Sequence, residues 1–90
     1  MESIAQLPQY YNRKGEHHLT LGEIIRARRK ALDLTQAELA DRSGLSQMSV
    51  SLFENGRRNP SLGTLDVLAV HLKCSTSDLL REREEDQHGR

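Results

Sequence analysis

From Thr20 onward apolar residues recur at helical intervals, and each periodic run follows a hydroxyl side chain. Leu21, Ile25 and Leu32 share a stripe that also takes in Arg28 or Arg29, which predicts a first helix over residues 21–32. A cation within an apolar stripe needs a partner, because burying an unpaired charge is costly. A second helix over 36–43 stops at Gly44 and a third over 47–55 stops at Gly56, since glycine readily takes the left-handed conformation that closes a helix. Arg57, Arg58, Asn59 and Pro60 form the next loop. A fourth helix over 62–73 turns Leu65, Leu68, Ala69 and Leu72 inward. A fifth begins near Thr76, buries Leu79 and Leu80, and frays into a charged tail.

The helix starts have their own chemistry. A Ser or Thr oxygen accepts a hydrogen bond from the otherwise unpaired amides of a first turn. Thr20 with Glu23 and Thr35 with Glu38 both fit the capping box, in which the acid reaches back to the cap amide. Ser46 and Ser61 are simpler caps, and Ser75 with Asp78 resembles a fifth start. Such close spacing predicts a bundle of short helices, without repeats or low-complexity segments. Residues 1–19 hold Pro8, Gly15 and scattered polar groups, and read as a mobile arm; residues 20–81 form the domain, and 82–90 a charged tail.

Composition narrows the class. Ninety residues suit one small domain plus tails. Aromatics make up only 3%, with no Trp, so the core is built from Leu, Ile, Val and Ala, which favours helices over a sheet. No apolar run approaches the roughly 18 residues of a spanning helix, and the N-terminus lacks the apolar stretch of a secretion signal. A cytoplasmic location is expected. Cys74 stands alone, which excludes an internal disulfide and a zinc site with paired cysteines. His17 and His18 are adjacent, His71 and His88 are distant, and no pair has the i, i+4 spacing of a helical metal site, so neither metal nor cofactor is expected.

Formal charge is zero, yet it is partitioned along the chain. Residues 20–73 carry eight Lys or Arg against six Asp or Glu, whereas residues 74–90 carry three against five. The middle is mildly basic and the tail acidic.

Residues 36–55 stand out as a unit. Two helices crossing steeply over a short turn need a small residue where their backbones approach and a permissive one in the turn; Ala40 and Gly44 supply these. Leu39, Leu45, Val50 and Phe53 can fill the space behind the pair. With Leu34, Thr35 and Gln36 before them, Ser46 within, and Phe53, Glu54, Asn55, Gly56, Pro60 and Leu65 after, residues 21–80 resemble the Cro and lambda-repressor-like proteins, or XRE family.

The resemblance implies an all-α, compact five-helix DNA-binding domain with a helix-turn-helix, whose third helix enters the major groove. Helical geometry sorts that helix. Val50 and Phe53 point one way, while Met48, Ser51, Leu52 and Asn55 project the other way with Gln47 at the N-terminal margin. Gln47 can pair with adenine, and Met48 and Leu52 can touch a thymine methyl, with Ser51 between them. A singly exposed leucine is the equal alternative for Leu52.

Gln36, Asn55, Arg57 and Arg58 are the candidates for phosphate contacts, Gln36 by family resemblance and by its place at a helix N-terminus. The family also implies a partly buried pair between Arg29 and Glu54, against two independent surface charges. Leu79 and Leu80 offer a dimer surface, with the monomer core an equal alternative for either.

The expected function is a sequence-specific, double-stranded-DNA-binding transcriptional regulator, a repressor acting as a homodimer on a palindromic operator. The chain has no Gly-rich phosphate loop and no interpretable Ser, His and acid arrangement, so it is not read as an enzyme. Nor is there room for a ligand-sensing domain, so no small-molecule substrate is expected and any signal acts through synthesis, degradation or a partner. Two alternatives stay open: an antitoxin or restriction-modification controller that holds a protein partner such as a toxin, and a protein-interaction module without DNA binding.

Overall fold

The computed structural model describes residues 19–85, with side chains up to Arg81. The arm expected over residues 1–19 therefore lies, Leu19 apart, outside the described residues, as do His17, His18 and His88. Five α-helices follow in order: α1 Leu21–Ala31, α2 Gln36–Ser43, α3 Gln47–Glu54, α4 Leu62–His71 and α5 Thr76–Glu85. The backbone of α5 thus continues helically into the segment read as the tail. No strand occurs among the described residues.

Each start is capped locally. Thr20 and Thr35 accept from the amides of Glu23 and Glu38 at 3.1 and 3.0 Å, and each glutamate accepts from its cap amide at 2.9 Å. Ser46 and Ser61 accept from Ser49 and Thr64, both at 3.1 Å. Ser75 and Asp78 bond reciprocally at 3.0 and 3.1 Å, completing a third box. A cap of this kind stabilises a helix by about 1 kcal/mol relative to alanine.

The first four helix ends share one closure. An amide reaches back five residues at each: Leu34 to Arg29 at 3.1 Å, Leu45 to Ala40 at 2.8 Å, Arg57 to Leu52 at 2.9 Å, and Cys74 to Ala69 at 3.0 Å. This bond brings the backbone through the left-handed region just before the donor. Gly44 and Gly56 occupy it at φ 69° and 74°, but Asp33 and Lys73 occupy it too, at 59° and 63°. The last two were not legible as helix stops, because neither is the expected glycine.

The core combines Ile24, Ile25, Leu34, Leu39, Ala40, Val50, Phe53, Leu65, Leu68, Ala69, Leu72 and Leu79. Helix α1 packs on α3 and α5, α2 on α3 and α4, and α4 on α5. Two expectations need correction. Leu32 lies beyond the last turn of α1 as its C-cap and is exposed, while Ile24 takes the buried place. Leu79, offered as part of a dimer surface, is 0% exposed in the single chain and belongs to the core, so it leaves nothing for a second copy to touch. Leu80 is half-buried against the same cluster. Helix α4 leaves Val67 and Val70 exposed opposite its buried face, and Leu62 exposed in its first turn.

Candidate nucleic-acid interface

Helices α2 and α3 meet across Gly44, Leu45 and Ser46. Leu39 and Ala40 from α2 and Val50 and Phe53 from α3 are buried between them and the bundle, and Leu45 plugs the turn. With its back held this way, α3 presents Gln47, Met48 and Asn55 to solvent; Met48 is 71% exposed. Ser51 and Leu52 are half-buried on the flank of that face. Asn55 donates from Nδ2 to Ser51 Oγ at 3.3 Å, and Ser46 donates to Ser49 Oγ at 3.0 Å.

Arg57, Arg58 and Asn59 follow directly and are exposed. The closure of α3 ties the Arg57 amide to Leu52, and the Arg58 guanidinium lies 5.9 Å from the centre of the Phe53 ring. At that separation the cation is attracted to the ring face, which restrains an otherwise mobile side chain. These two arginines therefore stand at the C-terminal end of α3.

Beneath that end lies a buried polar cluster. Arg29 donates from Nε to Glu54 Oε2 at 2.6 Å and from Nη2 to Oε1 at 3.0 Å, and its Nη1 reaches the Leu34 carbonyl at 2.8 Å. Arg29 and Glu54 are only 7% and 4% exposed. Arg26 adds a second cation, its Nε 3.5 Å from Oε1. Burial pushes the Glu54 carboxyl up, but hydrogen bonds from Arg29 and Gln36 and the charges of Arg29 and Arg26 outweigh it, so the group is held below the usual carboxylate range. Of the two arginines the stripe allowed, Arg29 takes the buried position; Arg28 is half-buried.

Gln36, the candidate phosphate contact at the start of α2, also has a partner inside the protein. Its side-chain amide donates to Glu54 Oε1 at 3.0 Å and so joins the cluster. One residue thus links the start of α2 to the end of α3. What faces solvent there is the N-terminal end of α2, where amides and the helix dipole favour an anion.

Gly22 was missed by sequence reasoning. A Cβ at this position would lie 2.3 Å from the Phe53 carbonyl oxygen and 2.7 Å from that of Glu54. The first turn of α1 therefore rests directly on the last turn of α3. The available signal was a glycine inside a helix, a poor helix former that usually has a packing reason.

Among the described residues, no group of three or more His, Cys, Asp or Glu could hold a metal, and no helix is long and apolar enough to cross a membrane.

Comparison with known proteins places this arrangement. The helix-turn-helix family model matches residues 25–79, from within α1 into α5. The chain belongs to the XRE family of helix-turn-helix proteins. This XRE-family chain is similar to the HTH-type transcriptional regulator DicA of Escherichia coli (strain K12), 41% identical over 70 residues that cover 78% of this chain and 52% of that protein. It is also similar to the immunity repressor protein of Bacillus phage phi105, 39% identical over 64 residues covering 71% and 44%. Among solved structures it resembles the P22 c2 repressor protein in complex with synthetic operator 9T, with TM-score 0.66 and 39% identity over 69% of this chain and 94% of that one. The chain spans about half the length of these two curated relatives.

Proposed function

We propose that this chain is a sequence-specific, double-stranded-DNA-binding transcriptional regulator, acting as a repressor by occupying a palindromic operator as a homodimer. The observation that carries the reading is the division of α3. Val50, Phe53 and Glu54 are buried and lock the helix to α1 and α2, while Gln47, Met48 and Asn55 are exposed. A helix fixed behind and exposed in front can enter the major groove without reorganising. The similarity to an operator-bound repressor supports the same docking.

In this reading Gln47, Met48, Ser51 and Leu52 meet base edges. Asn55, Arg57 and Arg58 neutralise phosphates on the flanking strand, and the start of α2 at Gln36 holds a phosphate through backbone amides. Arg29 and Glu54 touch no DNA; they orient α3. Residues 20–81 form the binding unit, flanked by the arm over 1–19 and the tail over 82–90. Binding, rather than catalysis, is the activity.

Because Leu79 is interior, a second copy would draw on what remains apolar outside: Leu80, and Val67 and Val70, which lie three residues apart on α4. Selection from random duplexes with the purified chain, followed by footprinting, tests the reading. The expected product is a two-fold symmetric site with half-sites about 34 to 36 Å apart. A single unrepeated half-site occupied by one chain overturns the dimer, and no enriched duplex overturns DNA binding.

A further inference from the structure

We propose that Arg26 is a further contact to the DNA backbone, reaching from α1 to the phosphate held at the start of α2. The inference rests on the DNA-binding reading and adds a residue of the first helix to the interface.

The polar cluster contains a charge that the protein leaves unspent. Arg26 and Arg29 stand three residues apart on one face of α1, both toward Glu54. Arg29 is saturated: two of its nitrogens bond the Glu54 carboxylate and the third bonds the Leu34 carbonyl. Arg26 comes second. Its Nε approaches Glu54 Oε1 only to 3.5 Å, beyond the roughly 2.7 to 2.9 Å of a charge-assisted hydrogen bond, and that oxygen already accepts from Arg29 and Gln36. This Nε is buried without a hydrogen-bond partner, and among the described residues the rest of the guanidinium has none either. Nor is either arginine paired there with a second acid. Two cations thus share one carboxylate, and the cluster keeps one cation in excess.

Position gives the excess its use. Gln36 and Arg26 meet the same Glu54 oxygen, at 3.0 and 3.5 Å, so the Arg26 guanidinium lies beside the first turn of α2. Asn55, Arg57 and Arg58 follow Glu54 in the chain and are exposed. The Arg26 side chain is 33% exposed against 9% for Arg29, so of the two it is Arg26 that can meet a ligand from solvent. A planar guanidinium with donors to spare suits phosphate oxygens. A phosphate arriving at Gln36 gives Arg26 the anion that Glu54 cannot supply to both arginines.

A structural ion pair and a phosphate ligand differ in what they do for the free chain. As a partner of Glu54, Arg26 would stabilise the fold. As a phosphate ligand it contributes little before DNA binds, because its attraction to Glu54 is offset by repulsion from Arg29 and by the burial of an unbonded donor. Removing its charge should therefore cost affinity and not stability.

The test uses the full chain and the duplex it enriches, with Arg26→Gln and Arg26→Lys beside wild type. Arg26→Gln is expected to weaken binding to every operator variant alike and to reduce the salt slope by about one, so that its deficit narrows about three- to fourfold between about 50 and 200 mM salt. Arg26→Lys keeps the charge and should keep the slope. Without DNA, Arg26→Gln should unfold at a Tm equal to or above that of wild type, in contrast to the sharp fall expected of Arg29→Ala. A Tm lower by several degrees for Arg26→Gln assigns Arg26 to the structural pair and overturns the inference. An unchanged salt slope overturns it as well, as does a loss confined to particular base substitutions; all three leave DNA binding intact. Failure to enrich any duplex overturns DNA binding and the inference together.

Discussion

Gly22→Ala pits two effects of known direction against each other. Alanine is a better helix former than glycine by about 0.8 to 1.0 kcal/mol, so propensity alone predicts stabilisation. Geometry predicts the opposite. The added Cβ would stand 2.3 Å from the Phe53 carbonyl oxygen and 2.7 Å from that of Glu54, where ordinary contact begins at 3.4 Å. Relief requires α1 and α3 to separate by roughly 1 Å, and both obstacles are backbone atoms that no rotamer change can move. Overpacking of this kind typically costs about 1 to 3 kcal/mol, and the rigid obstacle places this site toward the upper end. The net expectation is destabilisation by about 1 to 2 kcal/mol, a fall in Tm of several degrees for a domain this small.

Gly63→Ala is the internal control. Gly63 is also helical, in α4, but a Cβ there meets nothing within 4 Å. It should be stabilised by about 0.5 to 1 kcal/mol. Urea unfolding of the two variants in parallel measures both signs. If Gly22→Ala stabilises as Gly63→Ala does, the close seating of α1 on the last turn of α3 is wrong.

The remaining predictions concern the polar cluster, the helix ends and the DNA face. Arg29→Ala and Glu54→Ala should each destabilise by about 3 to 5 kcal/mol, the double variant costing far less than their sum; additive effects below about 0.5 kcal/mol each would refute the buried pair. Since Glu54 is held below the usual carboxylate range, its contribution is complete above the unfolded pKa and is lost as pH falls through the lower folded value. Wild type should therefore lose stability relative to Glu54→Gln below about pH 4, and a difference that stays constant on acid titration by calorimetry counts against the assignment. Lys73→Gly should raise Tm by a few degrees, because Lys73 holds φ at 63° where a side chain costs about 1 kcal/mol; an unchanged or lower Tm would show that this closure is unstrained. Gln47→Ala should cost about 1 to 3 kcal/mol of DNA affinity and relax preference at one base pair, whereas Arg57→Ala should weaken all sequences alike and reduce the salt slope by about one; identical profiles across operator variants would erase the distinction.

All five helix starts were legible in the chain itself, because a cap joins residues three apart and its geometry is complete within one turn. The two glycine stops were legible for a similar reason, since φ preference is a property of the residue. In α3 periodicity sorted Val50 and Phe53 inward and Met48 outward, whereas Ser51 and Leu52, expected on the outward face, are half-buried on its flank. Adjacent positions were harder. Ile24 and Ile25, Arg28 and Arg29, or Leu79 and Leu80 differ by one step of about 100°, too coarse to say which member meets a neighbour.

Tertiary packing made those choices. Helix α1 lies between α3 and α5, so Ile24 and Ile25 are both covered, whereas Leu32 falls past the last covered turn. The position of Glu54 selected Arg29 and drew in Arg26 and the amide of Gln36 from two other helices. Gly22 acquired its meaning only when the carbonyls of α3 were set against it. Asp33 and Lys73 entered the left-handed region because the next residues, Leu34 and Cys74, pack into or against the core and return their amides to the helix. Local hydrogen bonding and backbone preference act within a turn and can be read from sequence. Burial and charge pairing between helices depend on separations that no segment contains, and these only the folded chain decides.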